Sequence, residues 1–371
     1  MRSRTPWRVT ALLGAVAIAA AIVGAPANAR AHLGSRKYLR AEVTDAGVVV
    51  EAEVEAVDAS MELGLGPEVD EAALRARAPQ LARWLREGLR VRAGDAPCEA
   101  EAEAPELVTR DALRFVRVVL SYRCAGEGAR VLRDETVFPD DPQHEAIVQV
   151  AWAAESERDA QILRRGRQEV ELGAPAGAAT LTGRFLWEGM LHFATGYDHV
   201  LFLLSLVLAA GFVTRKKGLR PTLKDVAWLV TAFTLGHSVT LIAAALGVVV
   251  LPSQPVEIAI AASIVIVATL NVWRPEQRGP MPWLALGFGL IHGFGFSSVL
   301  AELGLPRDQT VLALVAFNVG IELAQLAFVA VVLGPIAWAA RQRGYRHLVR
   351  GGSVLIGLLA IFWVVERIAG A

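Results

Sequence analysis

Two hydrophobic patterns divide the chain. Between about residues 32 and 172, apolar and polar positions alternate in stretches such as LRAEVTDAGVVVEAEVEAVD and RFVRVVLSYRC. That two-residue period belongs to half-buried strands and predicts a β-rich domain. Inside it, PEVDEAALRARAPQLARWLREGLRV carries Leu74, Leu81, Trp84, Leu85 and Leu89 at helical spacing. One or two helices are expected there, with Pro79 set against a continuous one. From Phe185 onward the pattern changes to six apolar segments, about 185–213, 226–248, 256–273, 282–300, 310–336 and 348–368. Each approaches or exceeds the roughly 20 residues that cross a hydrocarbon core. The expected fold class is an α-helical transmembrane bundle of six spans (185–371), joined by a linker (173–184) to a β-rich domain (32–172).

The start of the chain reads as a secretory signal, residues 1–31. Arg2, Arg4 and Arg8 precede an apolar core from Val9 to Val23, and small residues follow. That core is short for a span, although an uncleaved anchor is the alternative. Cleavage after Ala29 or Ala31 leaves His32 at or near a new amino terminus, where amine and imidazole together can chelate Cu²⁺ or Ni²⁺; an ordinary exposed histidine is the plainer reading. Export would also allow Cys98 and Cys124 to form a disulfide, the favoured reading over two buried thiols. His144, in a turn rich in Pro and Asp, is expected to be a solvated loop residue.

Composition and charge narrow the class. With 54% hydrophobic residues and a formal net charge of zero, the chain lacks the basic surface of a nucleic-acid binder. The basic residues are placed asymmetrically. If the signal exports the β-rich domain, one set of loops carries Arg215, Lys216, Lys217, Arg220 and Lys224, then Arg274 and Arg278, then Arg341, Arg343, Arg346 and Arg350. The opposite loops and tail hold only Arg307 and Arg367. The positive-inside rule then supports a topology with the N-terminal domain outside, and the expected location is a bacterial inner membrane with that domain exported.

The apolar segments contain costly exceptions. His192, Asp198 and His199 lie in the first, His237 in the second, His292 in the fourth, and Asn318, Glu322 and Gln325 in the fifth. Ionisable groups at such depth face the bundle interior and commonly mark function. Asn318, Glu322 and Gln325 follow i, i+4, i+7 and share one helix face. On a regular helix His192 and His199 would stand about 10 Å apart, too far to grip one ion. Either they form two stations, or the helix breaks at Thr195-Gly196 and the two imidazoles fold together. Imidazoles with Asp198 and Glu322 suit a divalent transition metal (Ni, Co, Cu or Zn) better than calcium or magnesium. Structural hydrogen bonding or a metal-free proton relay is the alternative for each histidine taken singly. Ser238 and Thr240 can bond their own helix, and Gly289 and Gly293 have the spacing of close helix packing. Glu257 is expected near the outer surface, and His347 apart from the chemistry.

His192-x5-Asp198-His199 with Gly196, then FTLGHSVTL, FGLIHGFGFSSVL and FNVGIELAQL, resembles the HupE/UreJ family, in its branch with an exported N-terminal domain. The resemblance covers the membrane half. It implies nickel or cobalt handling through His192, Asp198 and His199, with Phe193 standing where family members often have Pro after the first His.

The expected function is an inner-membrane permease for a divalent transition metal, held by His192, Asp198, His199, His237, His292 and Glu322. No GxxxxGK[ST] motif is present, so movement would be facilitated or coupled to a gradient. Expected partners are the metal ion and the lipid bilayer, with a periplasmic metal carrier as a candidate. The rival is a membrane-embedded zinc hydrolase in which three histidines hold Zn²⁺, a carboxylate is general base and Ser238 assists. A third class, a docking domain on a passive anchor, leaves the intramembrane ionisable residues without a purpose.

Overall fold

The computed structural model describes residues 36–44, 47–110, 113–126, 128–137, 144–152, 158–173, 177–249, 251–274, 276, 281–296 and 307–369. The expected signal segment and His32 lie outside them.

The alternating half forms strands. They are β1 (Arg36–Thr44), β2 (Gly47–Glu55), β3 (Leu89–Ala93), β4 (Ala96–Pro97), β5 (Glu99–Ala102), β6 (Glu106–Arg110), β7 (Leu113–Arg123), β8 (Arg130–Asp134), β9 (Glu145–Trp152), β10 (Arg158–Leu163) and β11 (Glu169–Glu171). One sheet runs β10-β9-β1-β2-β7-β5, with β6 also on β7, and a smaller one runs β11-β8-β3-β4. Alternate residues point to one core: Leu39, Val50, Val54, Leu120 and Val148 from the large sheet meet Leu89, Val91, Leu132 and Val170 from the small one.

Three short helices close that core: α1 (Ala56–Glu62), α2 (Glu71–Ala76) and α3 (Ala78–Gly88). Asp70 caps α2 by accepting from the Ala72 and Ala73 amides. Pro79 lies in the first turn of α3, where its missing N–H is not needed, so the helical stretch divides in two. Leu74, Leu81 and Leu85 fill the core from these helices.

Cys98 and Cys124 pair as a disulfide. A wholly buried ion pair, Lys37 Nζ to Asp134 Oδ2 at 2.6 Å, ties β1 to β8 across the two sheets. Burial pulls the Lys37 ammonium below its ordinary value, against the opposing pull of Asp134. His144 corrects the sequence expectation. It is fully buried, with Nδ1 4.0 Å from Asp58 Oδ2, because it enters β9 beneath α1.

The helical half comprises α4 (Ala178–Thr195), α5 (Tyr197–Lys217), α6 (Leu219–Ala245), α7 (Ser253–Trp273), α8 (Pro282–His292) with a 3₁₀ turn Gly293–Phe296, α9 (Arg307–Ala340) and α10 (Tyr345–Ala369). Among the described residues five helices, α5, α6, α7, α9 and α10, are long and apolar enough to cross a membrane. The expectation of six differs in two places. The first apolar segment breaks at Gly196, and the fourth is described as an 11-residue helix and one 3₁₀ turn. Apolar residues point outward all around the bundle, with Val239 62%, Val331 74% and Leu355 59% exposed, as lipid-facing positions are.

The β-domain packs on one end of the bundle. Tyr38, Phe115, Ile147 and Ile162 form one apolar cluster with Leu181 and Phe185 of α4, Leu241 of α6 and Phe317 of α9. At the other end lie the start of α6, the end of α7, the start of α8 and the end of α9. These carry exposed Trp228, Trp273, Trp283 and Trp338 beside the basic clusters, the arrangement of an interfacial aromatic belt.

Two helix pairs inside the bundle are built alike. A Cβ on Gly189 of α4 would overlap the Phe317 carbonyl of α9, and one on Gly320 of α9 would overlap the Leu186 carbonyl of α4. The same reciprocity joins α6 and α8: Gly236 faces the Leu286 carbonyl and Gly289 the Phe233 carbonyl. The sequence repeats with it. Leu186-x-x-Gly189-x-x-His192 matches Leu286-x-x-Gly289-x-x-His292, and Ala232-Phe233-Thr234-Leu235-Gly236 matches Ala316-Phe317-Asn318-Val319-Gly320. Since α4 enters from the β-domain end and α8 from the opposite end, the two copies are inverted. Broken helices from inverted copies that meet near the middle are the architecture of many secondary transporters.

Candidate metal centre

Gly196 makes the site. It ends α4 and begins α5 in an extended conformation (φ −76°, ψ 92°), turning the chain between two histidines. A Cβ there would stand 2.7 Å from the His192 carbonyl oxygen and 3.1 Å from His199 Nδ1, so any larger residue would press on both. The result is the broken-helix arrangement: the His192 and His199 rings are 5.0 Å apart, centre to centre. His237 of α6 completes the group, 6.4 Å from the His192 ring and 5.9 Å from that of His199. One ring nitrogen from each of His192, His199 and His237 lies within 4.8 Å of the other two.

The partners of these rings decide which nitrogen is free. Asp198 Oδ1 is 2.8 Å from His199 Nδ1 and also accepts the His199 backbone N–H, so Nδ1 carries the proton and the buried Nε2, which bonds nothing, keeps its lone pair. Asp198 stands in the first turn of α5, where the helix dipole favours a carboxylate. His237 Nδ1 is 3.0 Å from Asn318 Oδ1. Asn318 Nδ2 donates to the Leu314 carbonyl at 2.8 Å, which leaves Oδ1 as the acceptor and aims the His237 Nε2 lone pair into the site. Carboxylate or carboxamide behind imidazole is the arrangement that orients metal-binding histidines.

The other expected residues lie around this group. The His292 ring is 5.2 Å from that of His199, and its Nε2 is 2.9 Å from Ser263 Oγ. Ser263 donates its own proton to the Ile260 carbonyl, so it accepts from His292 and leaves the buried His292 Nδ1 as a further lone pair. Asp198 reaches the group through His199. Glu322 stands apart: half-buried, it accepts from Thr231 Oγ1 at 2.6 Å, six residues and about 9 Å along α6 from His237. Gln325 accepts from Thr234 at 3.0 Å. Asn318, Glu322 and Gln325 thus share a face, and it looks at α6. Ser238 and Thr240 donate to carbonyls of their own helix.

Phe233, Phe317 and Phe202 wall the site. A crevice runs from the basic end between α5, α6, α7 and α8, past Asp225 and Asn271, to Phe202 and Phe288. Phe202 in turn touches His292, 5.2 Å between ring centres.

Three nitrogen donors without an oxygen cage suit a borderline transition metal and leave coordination positions open. The hydrolase alternative has a carboxylate as general base with Ser238 assisting, and the carboxylate nearest the rings, Asp198, is bonded to His199 Nδ1. The Ser238 hydroxyl is turned to its own backbone, and Glu322 is more than a helical turn away.

Two features of the helical half escaped the reading of separate motifs. The inverted repeat was legible in the two GxxH and two AFxxG strings. The other is Glu188, buried to 4% and four residues before His192, where only the spacing hinted at a shared face. A family model described as HupE / UreJ protein matches residues 168–367. No curated protein matches the chain.

Proposed function

The chain belongs to the HupE/UreJ family, and on that premise we propose that it is a permease for a divalent transition metal, nickel or cobalt, in the bacterial inner membrane. In this reading the β-rich domain is exported and the ion enters from its side. His192, His199 and His237 hold it, with Asp198 and Asn318 orienting two of them and His292 standing by with a free Nδ1. It leaves toward the basic end through the crevice below Phe202. One observation carries this: imidazoles from three helices converge on one point in a bundle whose surface is apolar. The inverted helix pairs supply a way to expose one central site to two sides in turn.

Three donors from three helices also explain how an ion can be bound and then released. A small relative movement of α4 and α6 separates His192 from His237 and removes a ligand without unfolding either helix.

The test is metal analysis of the purified full-length protein together with Ni²⁺ uptake into proteoliposomes. About one ion per chain and saturable uptake are expected, both lost in His199→Ala. A His199→Ala variant that is folded and transports normally would reject the site.

A further inference from the structure

The face of α4 that ends at His192 begins at the β-domain. Arg184, Glu188 and His192 are spaced i, i+4, i+8 and form one stripe. Arg184 Nη1 binds Asp159 of β10 at 2.8 and 3.0 Å. Glu188 is joined by Arg164 Nη1, and the more exposed Arg167 stands 3.9 Å from its other oxygen. Arg164 Nε also binds Glu145 of β9 at 2.8 Å.

Glu188 is the only buried acid of this stripe, and it lies one helical turn, about 6 Å, from a ring of the metal centre. A carboxylate so deeply buried requires a cation. The bundle supplies none to it among the described residues; the cation comes from the β-domain, on a tight turn. Arg164 and Arg167 bond each other's backbone at 3.1 and 2.8 Å around Arg165-Gly166, with Gly166 at φ +87°. Arg165 and Gly166 at its tip are exposed, and the turn lies outside the apolar cluster of Tyr38, Phe115 and Phe185 that joins the β-domain to the bundle.

We propose that Glu188 is the entry carboxylate for the cation that the three imidazoles receive, and that Arg164 occupies it here as a tethered, displaceable counter-ion, so that the β-domain covers the mouth. This rests on the permease reading for the identity of the cation. The chemistry is an exchange of one cation for another: the divalent ion binds Glu188 as the guanidinium leaves it, and Glu145 keeps the withdrawn Arg164 paired. Burial alone would lower the Arg164 affinity for its proton, and Glu145 and Glu188 more than offset it, so the cover is a permanent charge. His192, four residues on, is the next donor a cation leaving Glu188 would meet.

The test uses the full-length protein in liposomes carrying His192→Cys as the one free thiol, since Cys98 and Cys124 are paired. Matched cationic and neutral methanethiosulfonates are applied from the β-domain side. With Arg164 present both label slowly, and Arg164→Lys keeps this. Arg164→Ala, or Arg164→Met if the shorter residue disturbs the turn, is expected to speed the cationic reagent at least tenfold and to favour it over the neutral one. Adding Glu188→Gln is expected to abolish that preference. No acceleration, equal acceleration of both reagents, or a preference that survives Glu188→Gln would each overturn the proposal. Ni²⁺ binding to protein with His192 intact is read alongside. If it is absent the permease reading fails, while the thiol preference still decides the role of Glu188.

Discussion

Asn318 Oδ1 stands 3.0 Å from His237 Nδ1 while the other end of the same carboxamide is tied to the Leu314 carbonyl. The amide cannot turn over without losing both bonds, so the lone pair of His237 points one way only. Asn318→Leu should leave the helix intact and weaken Ni²⁺ binding by about 10- to 100-fold, the usual effect of losing such a partner. Equilibrium dialysis of the purified variant measures it.

Asp198 does the same for His199 and adds a charge. In Asp198→Asn an acceptor oxygen remains for Nδ1–H, so the ring should stay in place while the negative charge beside the ion disappears. Binding should weaken by about tenfold or more and uptake into proteoliposomes should stop. Wild-type uptake by the folded variant would remove Asp198 from the mechanism.

Glu322 lies away from the imidazoles, on the Thr231 hydroxyl. If it serves the route from the site and not the site itself, Glu322→Gln should bind Ni²⁺ as the wild type does yet transport it at least tenfold more slowly. A loss of equilibrium binding equal to that of His199→Ala would return Glu322 to the ligand set.

The paired glycines give a prediction with its own control. Gly289 is pressed against the Phe233 carbonyl, whereas Gly287, two residues earlier on α8, has open space around its Cα. Gly289→Ala should force α6 and α8 apart and lower the melting temperature in detergent, at a cost of about 1–3 kcal/mol or more. Gly287→Ala should be neutral or stabilise by up to about 1 kcal/mol.

In the β-domain, Asp134→Ala would strand the buried Lys37 ammonium and should cost about 3–5 kcal/mol. The double variant Lys37→Met/Asp134→Leu should recover most of that loss, because an apolar pair needs no desolvation of charge. Denaturant titration of both variants tests it.

The chain's one-dimensional pattern carried much of what depends on period and on local bonding, although its six apolar segments correspond to five spanning helices among the described residues. Two-residue alternation set the strands, Pro79 divided α2 from α3, and a break at Thr195-Gly196 was one of the two arrangements open to the histidines of the first apolar segment. The i, i+4, i+7 spacing also placed Asn318, Glu322 and Gln325 on a common face. What the pattern could not carry is which faces meet. His144 reads as a loop residue because its neighbours are polar, yet the fold buries it beside Asp58. Glu322 shares a helix face with Asn318, but helix antiparallelism and side-chain reach send it to Thr231 and not to the imidazoles. Glu188 was invisible as a functional group because its partner, Arg164, is 24 residues away in a different domain. Burial, register and partnership are properties of two surfaces at once. A single strand of sequence specifies each surface, and only their contact in three dimensions decides what each charge will face.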